Sequence, residues 1–106
     1  MQDFLKKLIY DSLTDKNKLK LKRLINNIQS LPFKNDLNKL ASVYGTDKWG
    51  AHSYTPHYTS HFKKFKNKKI NLLEIGIGGY DHSYVGGASL RMWESYFDRA
   101  TIYALD

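Results

Sequence analysis

The residues of this 106-residue chain best suited to chemistry stand between positions 74 and 106. Glu74 sits near the end of an apolar run, INLLEI at 70 to 75, and Gly76-Ile77-Gly78-Gly79 follow at once. Ser89 opens an amphipathic segment, and Asp106 follows a second apolar run, TIYAL at 101 to 105. Glycine is needed where the backbone turns with φ > 0 or where a ligand touches main chain. An acid after the second run can accept two hydrogen bonds from a ribose diol. The pattern points to an adenosine-containing cofactor lying on bare backbone between two acids.

The acids narrow the choice. A dinucleotide fingerprint, G-x-G-x-x-G, would put glycine at position 81, where Asp81 stands. A carboxylate there would repel a pyrophosphate seated at a helix N-terminus. No G-K-[ST] follows the glycines either, so a P-loop is absent. S-adenosylmethionine carries an ammonium, a sulfonium and a ribose diol but no phosphate, and it matches Glu74 and Asp106.

These residues need elements to hold them. INLLEI reads as a buried parallel strand, and TIYAL as a second. Ser89 is placed to cap the helix between them, whose Leu90, Trp93, Glu94, Tyr96 and Phe97 form an amphipathic segment. Leu90 and Trp93 read as core. Strand, glycine loop, helix, strand and acid make a βαβ unit, with ligands lying beyond the carboxyl ends of its strands.

Upstream, Phe4, Leu5, Leu8, Ile9 and Leu13 stand at helical spacing. Thr14 or Asp15 can cap a second helix with Leu21, Leu24, Ile25 and Ile28 on one stripe and lysines opposite, broken by Pro32. Asn35 or Asp36 can start a third, with Leu37, Leu40, Ala41 and Tyr44 inward and Gly45 ending it. These helices read as a lid or packing layer.

Residues 45 to 62, GTDKWGAHSYTPHYTSHF, mix rings, hydroxyls and histidines without period. Thr55-Pro56 resembles a cap followed by proline at the first helical position, giving a helix over 56–65. His57 and His61 lie four apart, but Tyr58, Thr59 and Ser60 between them do not complete HExxH, and no metal site is expected. The run reads as a pocket wall.

Composition sets outer bounds. Apolar content of 42% and charged content of 25% fit a globular domain. The absence of cysteine excludes disulfides and thiolate metal sites and fits a cytoplasmic location. No run approaches the ~20 apolar residues of a membrane span, and the N-terminus does not read as a cleaved signal peptide. The net charge of +7 gathers in KNKLKLKR at 16–23 and KKFKNKK at 63–69. Solvated surfaces explain such runs, and nucleic acid is not the expected partner.

The motifs together resemble a family. E-I-G-I-G-G is similar to the first motif, [DE]-x-G-x-G-x, of class I S-adenosylmethionine-dependent methyltransferases. GTDK at 45–48, HSYTP at 52–56, LLEIGIGGY at 72–80 and GGASLRMW at 86–93 look like one branch of it. That branch is the sugar-hydroxyl O-methyltransferases of macrolide biosynthesis, the mycinamicin and macrocin type, with relatives in bacterial glycan clusters. The resemblance covers residues 40 to 106. It implies that Glu74, Gly76, Ile77, Gly78 and Gly79 meet the amino-acid and ribose portion of S-adenosylmethionine. It also implies that Asp106 takes the ribose hydroxyls, that Ser89 meets the methionine carboxylate, and that Tyr54 and Tyr58 line the pocket while Lys48 orders that segment. For the tyrosines, packing between the helical layer and the sheet is the alternative.

The resulting expectation is an α/β fold. An N-terminal helical segment, 1–44, precedes the first βαβ unit of a Rossmann-like methyltransferase sheet, 45–106, which is incomplete. Such a sheet has about seven strands in the family pattern, and the family's general base and divalent-metal ligands, for Mg2+, come from later strands. The 106 residues are therefore expected not to catalyse alone. The acceptor would be a small molecule or glycan, and association of identical chains fits the uncovered sheet edges. Two alternatives stay open: a fragment of a nicotinamide-dependent oxidoreductase, and a non-catalytic basic binding module with a degenerate cofactor site.

Overall fold

The computed structural model of the chain describes residues 2–50, 52–76 and 87–105. Helix α1 runs Gln2–Ser12 and α2 Asp15–Ser30. Thr14 caps α2, its hydroxyl accepting from the Asn17 N–H at 3.2 Å. Pro32 follows in a 3-10 turn, Leu31–Phe33. Asp36 caps α3, Leu37–Tyr44, accepting from the Lys39 N–H at 3.2 Å. Gly45 ends that helix at φ +73°, a left-handed conformation that glycine adopts without strain.

Helix α4 runs Thr55–Phe62 and leads through a 3-10 turn, Lys63–Phe65, into β1, Asn71–Ile75. Helix α5, Ala88–Tyr96, precedes β2, Thr101–Leu105. The two strands pair in parallel, from Asn71 opposite Thr101 to Ile75 opposite Leu105. Beyond the last pair, the Gly76 N–H donates to the Leu105 carbonyl at 2.7 Å. Both strands thus finish at one level, the end at which a βαβ unit presents its ligand site.

One core serves α3 and α5 together. Leu37, Leu40, Ala41 and Tyr44 pack with Met92, Trp93, Tyr96 and Phe97, and half-buried Leu72 and Ile102 reach it from the sheet. Among the described residues, only that face of the sheet is covered. Leu73, Ile75, Tyr103 and Leu105 point the other way, and Ile75 is 72% exposed. The expected buried strand is therefore half-buried, because alternate side chains of a strand take opposite faces and only one face carries helices here.

Helix α2 departs from expectation in its facing. Its apolar stripe does not pack inward: Leu24, Ile25 and Ile28 are exposed, while Asn26 and Ser30 are buried. The reason is the Tyr44 hydroxyl, which enters the core and needs an acceptor. It donates to Asn27 Oδ1 at 2.8 Å, with Ser30 Oγ 3.1 Å away.

Thr55 also has a role other than the one expected. Tyr54 occupies the cap position of α4 with no side-chain cap bond. The Thr55 side chain is fully buried and donates to Asn38 Oδ1 at 2.5 Å, joining α4 to α3. A buried hydroxyl forgoes a cap when a stronger partner lies across the interface.

Candidate cofactor-binding site

Glu74 lies on the covered face of β1 and is half-buried. Its Oε1 accepts from the Ser89 hydroxyl at 2.5 Å. Its Oε2 is shut from solvent and has no hydrogen-bond partner among the described residues. A carboxylate oxygen in that position is costly unless a donor arrives, since burial strips its water without replacing it. The arrangement suits a ligand bearing an ammonium or hydroxyl donor.

Gly76, two residues on, has φ +78°, and a Cβ built there would meet nothing within 4 Å. Among the described residues, conformation rather than crowding calls for glycine here. Helix α5 begins after Gly87, at φ +88°, with no side-chain cap. The expected cap residue, Ser89, stands inside the first turn instead, where its hydroxyl is spent on Glu74.

A cleft of about 310 Å³ opens beside this pair. Glu74, Gly76 and Leu72 form its floor, and Tyr58, Trp93 and Lys48 its walls. Tyr58 meets Trp93 edge-on, ring centroids 5.2 Å apart, and stacks with Phe62 at 5.8 Å. Such pairs hold rings rigidly, so the wall is preformed. The Lys48 carbonyl accepts from the Tyr54 and Thr55 N–H groups at 2.9 and 3.2 Å, closing the turn that leads into α4. The Lys48 ammonium stands 3.8 Å from Asp47 Oδ1.

No family model matches the chain. Known proteins do match. Over 74 residues, 69% of the chain, it is 55% identical to the demethylmacrocin O-methyltransferase of Streptomyces fradiae, covering 19% of that relative. It is 49% identical, over 63% of its length, to the 8-demethyl-8-alpha-L-rhamnosyl tetracenomycin-C 2'-O-methyltransferase of Streptomyces olivaceus, covering 18% of it. Among solved structures, the MycE methyltransferase of the mycinamycin biosynthetic pathway, in complex with Mg, SAH and mycinamycin VI, aligns with a TM-score of 0.64. That match is 53% identical and covers 67% of this chain and 20% of that one.

The chain is homologous to part of the macrolide-sugar O-methyltransferases. It spans about a fifth of the length of these relatives.

In this methyltransferase homologue, Glu74, Gly76 and Tyr58 line one cleft, and Ser89 reaches it only through its bond to Glu74. Tyr54 stands one ring further out. It is exposed, 6.2 Å from Tyr58 between centroids, and stacked on His52 at 5.0 Å. Ile77, Gly78, Gly79 and Asp106 lie outside the described residues. Among the described residues no group of three or more histidines, aspartates or glutamates is arranged to hold a metal ion.

Two wall residues of the cleft are ones the sequence pattern does not assign to it. Trp93 read as core, and it is buried, yet it also faces the cleft. The signal was its position four residues after Ser89, which puts both on one helix face. Lys48 read as ordering its segment, which its carbonyl does, while its side chain reaches the cleft.

Proposed function

We propose that this chain supplies the S-adenosylmethionine-binding portion of an O-methyltransferase acting on a sugar hydroxyl of a natural product or glycan. The observation that carries the reading is Glu74, held by Ser89 through one oxygen, with a buried second oxygen that has no hydrogen-bond partner among the described residues. The residues fit the cofactor: an acid that lacks a donor among the described residues, a positive-φ glycine that no described residue crowds, and an aromatic wall.

In this reading Glu74 Oε2 accepts from the ligand, and Ser89 fixes the carboxylate's orientation. The main chain at Gly76, Ile77, Gly78 and Gly79 lies along the amino-acid and ribose portion, and Asp106 accepts from the ribose diol. Tyr58 and Trp93 exclude water from one side, and Tyr54 stands at the entrance. When bound, S-adenosylmethionine supplies a methyl group on an electrophilic sulfonium. This chain's residues hold the donor in place, which sets the geometry an in-line transfer requires. A base for the acceptor hydroxyl and ligands for Mg2+ belong, in this proposal, to residues beyond these 106, so the chain binds without turning over.

No helix among the described residues is long and apolar enough to cross a membrane. The chain's lack of cysteine supports a cytoplasmic setting.

Isothermal titration with S-adenosylhomocysteine and, separately, NADH tests the reading. S-adenosylhomocysteine is expected to bind and NADH not, with Glu74→Gln weakening binding by about tenfold or more. Equal heats from both ligands, or binding indifferent to Glu74→Gln, would overturn it.

A further inference from the structure

Helix α2 packs through its polar side. At 100° per residue, Leu21, Leu24, Ile25, Ile28 and then Leu31 follow one stripe, and Asn26 and Ser30 lie opposite. The opposite side is the buried one, pinned by Tyr44 to Asn27 and Ser30, so the stripe is turned outward by hydrogen bonding. Leu24 is 57% and Ile28 59% exposed. Helix α1 does likewise: Phe4, Leu5, Leu8 and Ile9 are all exposed, and it has no buried residue. Two consecutive amphipathic helices therefore show their apolar stripes to the outside.

Charge indicates what covers them. Residues 2–31 hold seven lysines and arginines against three aspartates. Around α2, Lys16 and Lys20 border one margin of the stripe, and Lys18 and Lys22 the other. The Lys18 ammonium also lies 5.2 Å above the Tyr10 ring, linking α2 to α1. A second copy would set these lysines against one another, and a nucleic acid would leave the apolar stripe unused. A surface that is apolar beneath and anionic above uses both, with lysine stems lying over the stripe and ammoniums reaching the phosphates.

We propose that α1 and α2 form an interfacial element that docks the protein on an anionic lipid bilayer. The stripes lie at the boundary of headgroups and acyl chains, and the lysines neutralise the lipid charge.

The test is co-sedimentation of the full 106-residue chain with phosphatidylcholine vesicles, with and without phosphatidylglycerol. Partition onto the phosphatidylglycerol vesicles is expected to exceed that onto phosphatidylcholine alone by at least about tenfold and to fall in high salt. Leu24→Gln/Ile28→Gln and, separately, Lys20→Glu/Lys22→Glu are each expected to reduce it about tenfold with unchanged circular dichroism, because all four side chains point away from the core. Absent partition, equal partition onto both vesicles, or indifference to the Leu24/Ile28 change would overturn the proposal. So would a dimer in sedimentation velocity that Leu24→Gln/Ile28→Gln disperses, with no vesicle binding, since the stripe would then belong to a second copy.

Discussion

The Ser89 hydroxyl donates to Glu74 Oε1 at 2.5 Å, tying the first turn of α5 to the end of β1. The bond leaves one carboxylate oxygen committed and one without a hydrogen-bond partner among the described residues. Ser89→Ala removes a bond to a charged acceptor, of order 1.5–3 kcal/mol. Its expected effect on S-adenosylhomocysteine affinity is a loss smaller than that of Glu74→Gln, with Ser89→Thr restoring part of it. Titration calorimetry on the three variants gives the ranking.

Thr55 is the polar rivet between α4 and α3. Thr55→Val keeps the shape and strands Asn38 Oδ1, so it is expected to destabilise by about 1–3 kcal/mol. Thr55→Ser retains the hydroxyl and should lose less. Urea unfolding followed by circular dichroism measures the difference.

Met92 sits with no exposed surface between α3 and the sheet. Met92→Ala leaves a cavity there and is expected to cost about 2–5 kcal/mol, while Met92→Leu costs less than about 1.5 kcal/mol. Denaturant midpoints at equal m-value would show it.

Burial pushes the Tyr96 phenol above its ordinary value of 10.0. The folded state thus favours the neutral phenol. Its stabilising contribution is whole below about pH 10, where the unfolded chain is also protonated, and is lost as pH rises through the elevated folded value. Thermal melts between pH 9 and 11 are expected to fall, and Tyr96→Phe should flatten that part of the profile.

Local chemistry was legible in the sequence where it acts within a few residues. Thr14, Asp36 and Gly45 end or begin helices as their side chains and φ preferences require, and Pro32 stops α2. The two strands and the helix between them were legible from apolar runs, and so were Glu74 and Gly76 at the strand's end. What sequence pattern missed involves partners far along the chain. The facing of α2 is decided by Tyr44, 14 residues from Ser30. Thr55 answers to Asn38, and Ser89 to Glu74, each across an interface that periodicity does not encode. Periodicity locates an apolar stripe; it does not say whether anything comes to cover it.

The chain holds two tryptophans, and the fold places them in opposite surroundings: Trp49 is 38% exposed and Trp93 5%, the latter at the cleft wall. Their emission should therefore separate, with the red-shifted share coming from the outer indole and the blue-shifted share from the inner one. Quenching confined to the blue share on adding a nucleoside would make Trp93 an optical gauge of occupancy that needs no attached dye.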